Sequence, residues 1–211
     1  MGISDKDLKG SESRLWHLIE MRTRAGADTQ DIDQRIWDLF GEEWAVMFTD
    51  LSGFSRQVAA FGIIHFLQII HEQKQILLPV IADHDGILIK IEADSFLILF
   101  KKARRALDCA VAMQHACQKL SARRLPEEQV LLCVGIGSGR ILRIGDHDCY
   151  GAEVNAASKL GEDTARANEI LVTGVARDQI GDAAGVAFEP IDATIPGTDR
   201  SFRVKYEMFR P

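Results

Sequence analysis

The stretch that decides the fold is Trp44–Ser55, which reads WAVMFTDLSGFS. Its first five residues are apolar throughout, a pattern typical of a strand that is buried on both faces. The strand ends at Asp50, and a Leu-Ser-Gly turn then leads into a helical stretch. A strand end followed by such a turn brings a carboxylate and free backbone N–H groups to one edge of a sheet. Asp50 is therefore a candidate metal ligand, and the turn around Gly53 is a candidate phosphate cradle.

A second acidic residue lies in the next predicted hairpin, Gly86–Phe100. Isoleucines at every second position from Ile87 predict a strand, and a polar break that contains Asp94 separates it from a second apolar strand. In a central sheet, two strand ends can bring Asp50 and Asp94 to one divalent ion, for which oxygen ligands favour Mg²⁺ or Mn²⁺. The competing interpretation is that each aspartate only caps a turn, which is what spacing alone favours.

The remaining elements continue this pattern of strands and helices. A Gly-Ser-Gly turn at 137–139 predicts a second hairpin, with strands at Val130–Gly137 and Ile141–Ile144. The predicted order of elements favours an α+β fold of the ferredoxin-like plan, an antiparallel-rich sheet with flanking helices. The other predicted helices and strands are Phe61–Asp83, Ala106–Leu120, Gly151–Ala167, Glu169–Thr173 and Ser201–Phe209.

The N-terminal residues form a separate pattern. Ser11–Phe40 has helical spacing of its apolar residues, interrupted around Gly26 and Asp28, which predicts a helical hairpin or a bent helix. We therefore divide the chain into a helical N-terminal segment, residues 1–43, and one globular domain, residues 44–211, which is the candidate catalytic domain.

Composition limits the class of protein. The chain has 211 residues, of which 46% are apolar, and a net charge of −6. This favours one globular domain and argues against binding nucleic acid through a basic surface. We find no apolar run of the roughly 20 residues that cross a bilayer and no signal peptide, so we expect a cytoplasmic protein that does not enter membranes. The four widely spaced cysteines are expected to be reduced thiols.

Four motifs, in order, resemble the class III nucleotidyl cyclases, the family of adenylyl and guanylyl cyclase catalytic domains. The resemblance covers about residues 44–209 and implies the cyclase variant of the ferredoxin-like fold. The motifs are FTDLSGFS at 48–55, KIEAD at 90–94, VGIGSGR at 134–140 and YGAEVNAASKL at 150–160.

The first motifs carry the metal and phosphate groups of the family. By resemblance, Asp50 and Asp94 bind two Mg²⁺ or Mn²⁺ ions per site, together with the backbone carbonyl of Leu51. The amides of Gly53 and Phe54 match the phosphate-cradling turn. Arg140 falls where many members place an arginine that binds the triphosphate.

The other motifs carry the groups that bind base and ribose. Lys90 and Asp148 match the pair that reads adenine, and the chemistry agrees. A lysine can donate to adenine N1 and an aspartate can accept from the adenine amino group, whereas guanine presents the opposite pattern. Asn155 matches the asparagine that positions the ribose. The resemblance therefore implies ATP as substrate.

Three departures from the family pattern concern activity. Lys159 stands where the family usually has an arginine that stabilises charge on the transferring phosphoryl group, and lysine lacks the planar fork of guanidinium. Ala93 stands where the family usually has glycine. Near the C-terminus, Ile195–Gly197 replaces a Lys-Gly motif for the triphosphate, with Arg200 as a candidate substitute.

The resemblance implies a homodimer, because the family builds each site from metal groups of one subunit and base groups of the other. Two alternatives stay open: a cyclase-fold module that is weakly active or only binds nucleotide, and a cyclase for guanine or a pyrimidine. The N-terminal helices are candidates for packing on the dimer or for contacting a regulatory partner.

Overall fold

The computed structural model of the chain describes residues 10–209, apart from the side chains of residues 54–57. Two predictions fall partly outside this range. The first nine residues of the N-terminal segment are not covered, and of Phe54 only the backbone is.

One eight-stranded sheet organises the chain. Its strand order is β2-β3-β1-β4-β6-β8-β7, and the short β5 pairs with β4. All pairs are antiparallel except β4 with β6, which is parallel. The predicted α+β, antiparallel-rich sheet is confirmed. The strands are β1 (Gly41–Leu51), β2 (Ile87–Glu92), β3 (Ser95–Phe100), β4 (Leu132–Ile144), β5 (Asp148–Tyr150), β6 (Ile170–Thr173), β7 (Val186–Pro190) and β8 (Ser201–Tyr206).

Helices cover both faces of the sheet. The helices are α1 (Ser11–Arg22), α2 (Thr29–Phe40), α3 (Phe54–Phe61), α4 (Ile63–Asp83), α5 (Ala103–Ser121), α6 (Ala152–Ser158) and α7 (Gly174–Ile180). A π-helical turn, Lys159–Thr164, continues α6, and a 3₁₀ turn occupies Pro126–Glu128. In the described part of the chain, no helix is long and apolar enough to cross a membrane.

Residues 44–48 of β1 are all apolar because the two faces of this strand pack against different layers. Met47 belongs to the main core, with residues of α4, α5 and α7, whereas Trp44 and Val46 pack on the opposite side with Val154 of α6. Successive side chains of a strand point to opposite faces, so a strand with helices on both sides carries no polar alternation.

The predicted hairpin across the Gly-Ser-Gly sequence is wrong, because residues 132–144 form one continuous strand, β4. Gly137 and Ser138 pair with Val46 and Ala45 of β1 in regular register. Glycine is required here by packing instead of by a turn. A Cβ on Gly137 would overlap the backbone oxygen of Glu153 in α6. The glycines let a helix backbone approach the strand.

Other differences lie after β4. The helix predicted over 151–167 ends as α6 at Ser158 and continues only as the π-helical turn. α7 and β7 were not predicted from the sequence. Both are short elements whose patterns are weak, and the parallel pairing of β4 with β6 is a long-range contact that no local pattern specifies.

The N-terminal residues form two helices that pack on the outer part of β4. Asp28 caps α2 by accepting a hydrogen bond from the Asp31 amide at 3.0 Å. The helices bury an apolar cluster against Ile144 of β4: Leu15, Leu18, Ile32, Ile36 and Phe40.

Candidate active site

Asp50 and Asp94 lie side by side at one end of the sheet. β1 and β3 pair antiparallel up to Thr49 and Phe96, so Asp50 at the end of β1 faces the turn that joins β2 to β3. The hydroxyl of Ser95 donates to Asp50 Oδ1 at 3.4 Å. The buried amide of Gln73 in α4 donates to the backbone oxygen of Asp94 at 2.8 Å and holds the turn in place.

The two carboxyl groups share an electrostatically strained environment. Burial, and then the charge of Asp94, raise the pKa of Asp50 to about 7. Burial raises the pKa of Asp94 as well. The two neighbouring carboxylates repel each other when both are ionised. A divalent cation would relieve this repulsion, so the donor set fits Mg²⁺ or Mn²⁺.

Two left-handed backbone positions shape the turns around these carboxylates. Gly53, which precedes α3, has φ 92°, a conformation that glycine adopts freely. Ala93, directly before Asp94, has φ 53°, which costs a residue with a Cβ about 1–2 kcal/mol. The alanine therefore keeps the turn geometry at some cost to stability.

A surface cavity of about 440 Å³ lies beside α6 and β5. Lys90 of β2 and Asp148 of β5 meet in it, with Lys90 Nζ 3.1 Å from Asp148 Oδ2 and 3.1 Å from Glu92 Oε1. Partial burial opposes the charge on Lys90, but its hydrogen bonds to Asp148 and Glu92 raise its pKa above the ordinary value. Apolar and polar residues line the rest of the cavity: Phe48, Leu97, Cys149, Tyr150, Gly151, Val154, Asn155, Ser158 and Glu162.

Asn155 reaches this cavity from α6, which lies against β4 without intervening side chains. A Cβ on Gly135 of β4 would overlap the backbone oxygen of Ala157 and the amide of Gly161, and a Cβ on Gly161 would lie 2.9 Å from the backbone oxygen of Phe48. The Asn155 amide donates to the backbone oxygen of Pro196 at 3.1 Å. Its orientation is thus fixed by the turn at 195–197.

Glu153 binds the same helix, α6, to the sheet. It is buried and accepts hydrogen bonds from the Ser138 amide at 2.9 Å and from the Thr173 hydroxyl at 2.6 Å. Burial raises its pKa.

The other residues predicted to bind phosphate lie outside this cavity. Lys159 is not among the cavity residues, and its ammonium lies 2.6 Å from Asp163. Arg140 pairs across the strands with Glu43, seven residues along β1 from Asp50 and so roughly 20 Å away. It donates to the backbone oxygen of Trp37 in α2. Arg200 pairs with Asp178 at 2.6 Å.

Sequence reasoning missed three residues that shape the site. Gln73 carries a weak signal, as a polar residue on the buried face of α4. Glu92 shares Lys90 with Asp148, and Glu162 lines the cavity while its charge also raises the pKa of Asp50 and Asp94. Glu162 carries no local signal, because the π-helical turn sets its direction.

Within residues 10–209, no cluster of three or more histidine, cysteine or acidic side chains could hold a metal.

The pKa of Asp50 predicts a pH-dependent stability for the metal-free protein. Below pH 3.8, the ordinary pKa, the carboxyl is protonated in both states. Between that value and about 7 the unfolded chain ionises first, so the free energy of unfolding falls as the pH rises and levels off above 7. Asp50→Asn removes this loss. We expect it to stabilise the protein more at pH 8 than at pH 5 in urea unfolding with chelator present. A stability difference that is independent of pH would contradict the assignment.

A model of the family "Adenylate and Guanylate cyclase catalytic domain" matches residues 41–194. A curated protein of Rhizobium meliloti (strain 1021), named "Putative adenylate cyclase 3", is 31% identical over 117 residues, which are 55% of this chain and 20% of that protein. The matched region is thus about a fifth of that relative's length.

Solved structures give the same fold. The adenylate/guanylate cyclase/hydrolase from Silicibacter pomeroyi has a TM-score of 0.67 and 23% identity, covering 77% of this chain and 96% of that one. The adenylyl cyclase CyaB from P. aeruginosa has a TM-score of 0.66 and 19% identity, covering 79% of this chain and 95% of that one.

Proposed function

The chain belongs to the adenylate and guanylate cyclase catalytic domain family, and on this premise we propose that it converts ATP to 3′,5′-cyclic AMP and pyrophosphate. The observation that carries the choice of ATP is the Lys90–Asp148 pair in the cavity beside Asn155. One donor and one acceptor side by side match the N1 and amino group of adenine. Guanine would place a donor against the lysine and an acceptor against the aspartate.

Four further residues of the cavity have a role in binding this substrate. Phe48, Leu97 and Val154 supply apolar wall for the base. Asn155, whose amide nitrogen is held by Pro196, has an oxygen without a hydrogen bond in the described part of the chain, and this oxygen accepts from a ribose hydroxyl. Binding energy at these remote groups orients the ribose for reaction.

Asp50, Asp94 and the Leu51 carbonyl would hold two Mg²⁺ or Mn²⁺ ions. When bound, such ions neutralise phosphate charge and lower the pKa of the ribose 3′-hydroxyl. The hydroxyl oxygen attacks the α-phosphorus and pyrophosphate leaves, while the hydroxyl proton passes to a substrate phosphate oxygen or to water. Amides at Gly53 and Phe54 receive the phosphates, and Lys159 stabilises the charge that develops on the transferring group.

We further propose that the site is completed by a second copy of the chain. Neither Asp50 nor Asp94 lines the cavity that contains Lys90, Asp148 and Asn155. A twofold dimer would bring the metal carboxylates of one subunit to the base-binding cavity of its partner, in two equivalent sites. Arg140 and the N-terminal helices lie away from the carboxylates. They are available there for contact with a regulatory partner.

Product analysis tests the proposal. Purified protein is incubated with ATP, GTP, CTP or UTP and either Mn²⁺ or Mg²⁺, and products are identified by mass. Cyclic AMP as the main product supports the assignment. Cyclic GMP or a cyclic pyrimidine nucleotide as the main product would overturn the base assignment.

A nucleotide-binding module without turnover is the second candidate, and the observation that favours it is the position of Lys159, paired with Asp163 outside the cavity lining. Tight nucleotide binding without any cyclic product would support this candidate.

The lysine itself gives a prediction. Because arginine can make two charge-assisted bonds in the transition state, Lys159→Arg should raise kcat, by up to about 10²-fold, and change KM little. Lys159→Ala should lower kcat below the wild-type rate. Lys119→Arg, on the exposed side of α5, is the matched control. A decrease in kcat for Lys159→Arg would mean that the site is built around lysine.

A further inference from the structure

The lysine that would contact the transferring phosphoryl group is engaged elsewhere in the free chain. Its ammonium lies 2.6 Å from Asp163 Oδ2, and the side chain is about half exposed at 46%. Four neighbouring residues line the cavity, whereas Lys159 does not: Val154, Asn155, Ser158 and Glu162. Lys159 is the member of the segment that carries the positive charge, and it is the one turned toward an acidic partner.

The π-helical turn fixes this arrangement. Gly161 packs on the backbone of Phe48 and Gly135, and the Ala165 amide donates to the Leu160 oxygen, five residues back, at 2.8 Å. The Thr164 hydroxyl donates to the Lys159 oxygen at 2.8 Å. A π turn of this kind re-aims the side chains that follow a helix.

Within this turn the two acidic residues have separate partners. Glu162 accepts a hydrogen bond from the Ser158 hydroxyl. Asp163 lies four residues after Lys159, and within the described residues no other cation pairs with it. Its carboxylate is therefore available to pair with Lys159. The hydrogen bond between the two side chains raises the pKa of Lys159.

We infer that Asp163 is a positioning residue that holds Lys159 away from the nucleotide cavity and reduces the positive charge available to the transferring phosphoryl group. The inference rests on the proposed cyclase function. For Lys159 to reach a phosphate oxygen, its bond to Asp163 must first break. Even after that exchange, a carboxylate one helical turn away opposes the negative charge that builds up in the transition state.

The effect is moderate and depends on salt. Exposed ion pairs contribute little to stability, and their strength falls with ionic strength. Removing the Asp163 charge is therefore expected to raise kcat about two- to fivefold, with a smaller change in KM. The advantage of the variant should shrink as salt screens the pair in the wild type.

The experiment compares kcat and KM with MnATP for the wild type, Asp163→Asn and Asp163→Glu, from about 0.05 to about 0.5 M salt. Asp163→Asn should be faster at low salt and approach the wild type at high salt. Asp163→Glu retains the charge and should stay near the wild-type rate. Asp108→Asn removes an i, i+4 partner of similar exposure from Arg104 in α5, and serves as the control.

The outcomes separate the inference from the function on which it rests. Cyclic AMP from the wild type, with Asp163→Asn equal or slower, overturns the inference and leaves the proposed function standing. A salt-independent increase in Asp163→Asn also overturns it, because a structural effect would not be screened. No product from any of the proteins removes the proposed function and the inference together.

Discussion

Asp50→Asn and Asp94→Asn are each expected to lower metal-dependent cyclisation by at least about 10³-fold, because each removes a charged oxygen ligand from a site that has two carboxylates. The fold should survive, and the metal-free protein should gain stability, since the paired carboxyl groups are strained by burial and by each other. Initial rates with MnATP, together with circular dichroism, measure both effects.

The control for this prediction is Asp146→Asn. Asp146 is an exposed carboxylate that pairs with Arg143 and does not line the cavity. Its loss should leave the rate unchanged. A rate within tenfold of wild type for either site variant would remove the assignment of Asp50 and Asp94 as the metal ligands.

Mixing variants tests whether the site spans two chains. Asp50→Asn destroys the metal side and Asn155→Ala destroys the ribose side, so each homodimer is inactive. A mixed dimer would contain one site in which both changes fall together and one intact site. Random mixing makes half of the dimers mixed, so about a quarter of the wild-type rate should return. No recovery after exchange of subunits would argue that each site lies within one chain.

Gly135→Ala is expected to have the largest effect on stability, about 3 kcal/mol or more. The added methyl would overlap backbone atoms of Ala157 and Gly161, and backbone cannot move aside as a flexible side chain can. α6 would have to leave β4 and take Asn155 with it, so activity should be lost as well. Urea unfolding midpoints and cyclase rates give the two measurements.

Gly26→Ala is the control for the added methyl. Gly26 lies between α1 and α2 with φ 78°, and no atom lies within 4 Å of the position that the new methyl would take. Its cost should be limited to the left-handed conformation, about 1–2 kcal/mol. Equal losses for the two variants would show that close packing of α6 on β4 is not what Gly135 provides.

The local sequence was sufficient for several elements of the fold. The apolar run at 44–48 with its polar end predicted a buried strand, and alternation around Ile87 predicted the hairpin whose turn carries Asp94. Both are present as β1 and the β2–β3 pair. Such elements follow from neighbours in sequence, because strand periodicity and turn residues act over a few positions.

The same local reasoning failed at residues 137–139. Glycines that reverse a chain and glycines that admit a helix backbone give the same sequence pattern. Only the position of α6 over Gly135 and Gly137 distinguishes the two, and that contact joins residues far apart in the chain. The parallel pairing of β4 with β6 is hidden for the same reason.

By itself, then, the sequence determined the α+β sheet, its family, and which residues are candidates for metal, base and ribose. The tertiary structure decided how those candidates are presented. It sets Asp50 against Asp94, which raises the pKa of Asp50 to about 7, joins Lys90 to Asp148 at 3.1 Å, and turns Lys159 toward Asp163. Charge states and side-chain directions depend on burial and on partners distant in the chain, and these exist only once the sheet and its helices have packed.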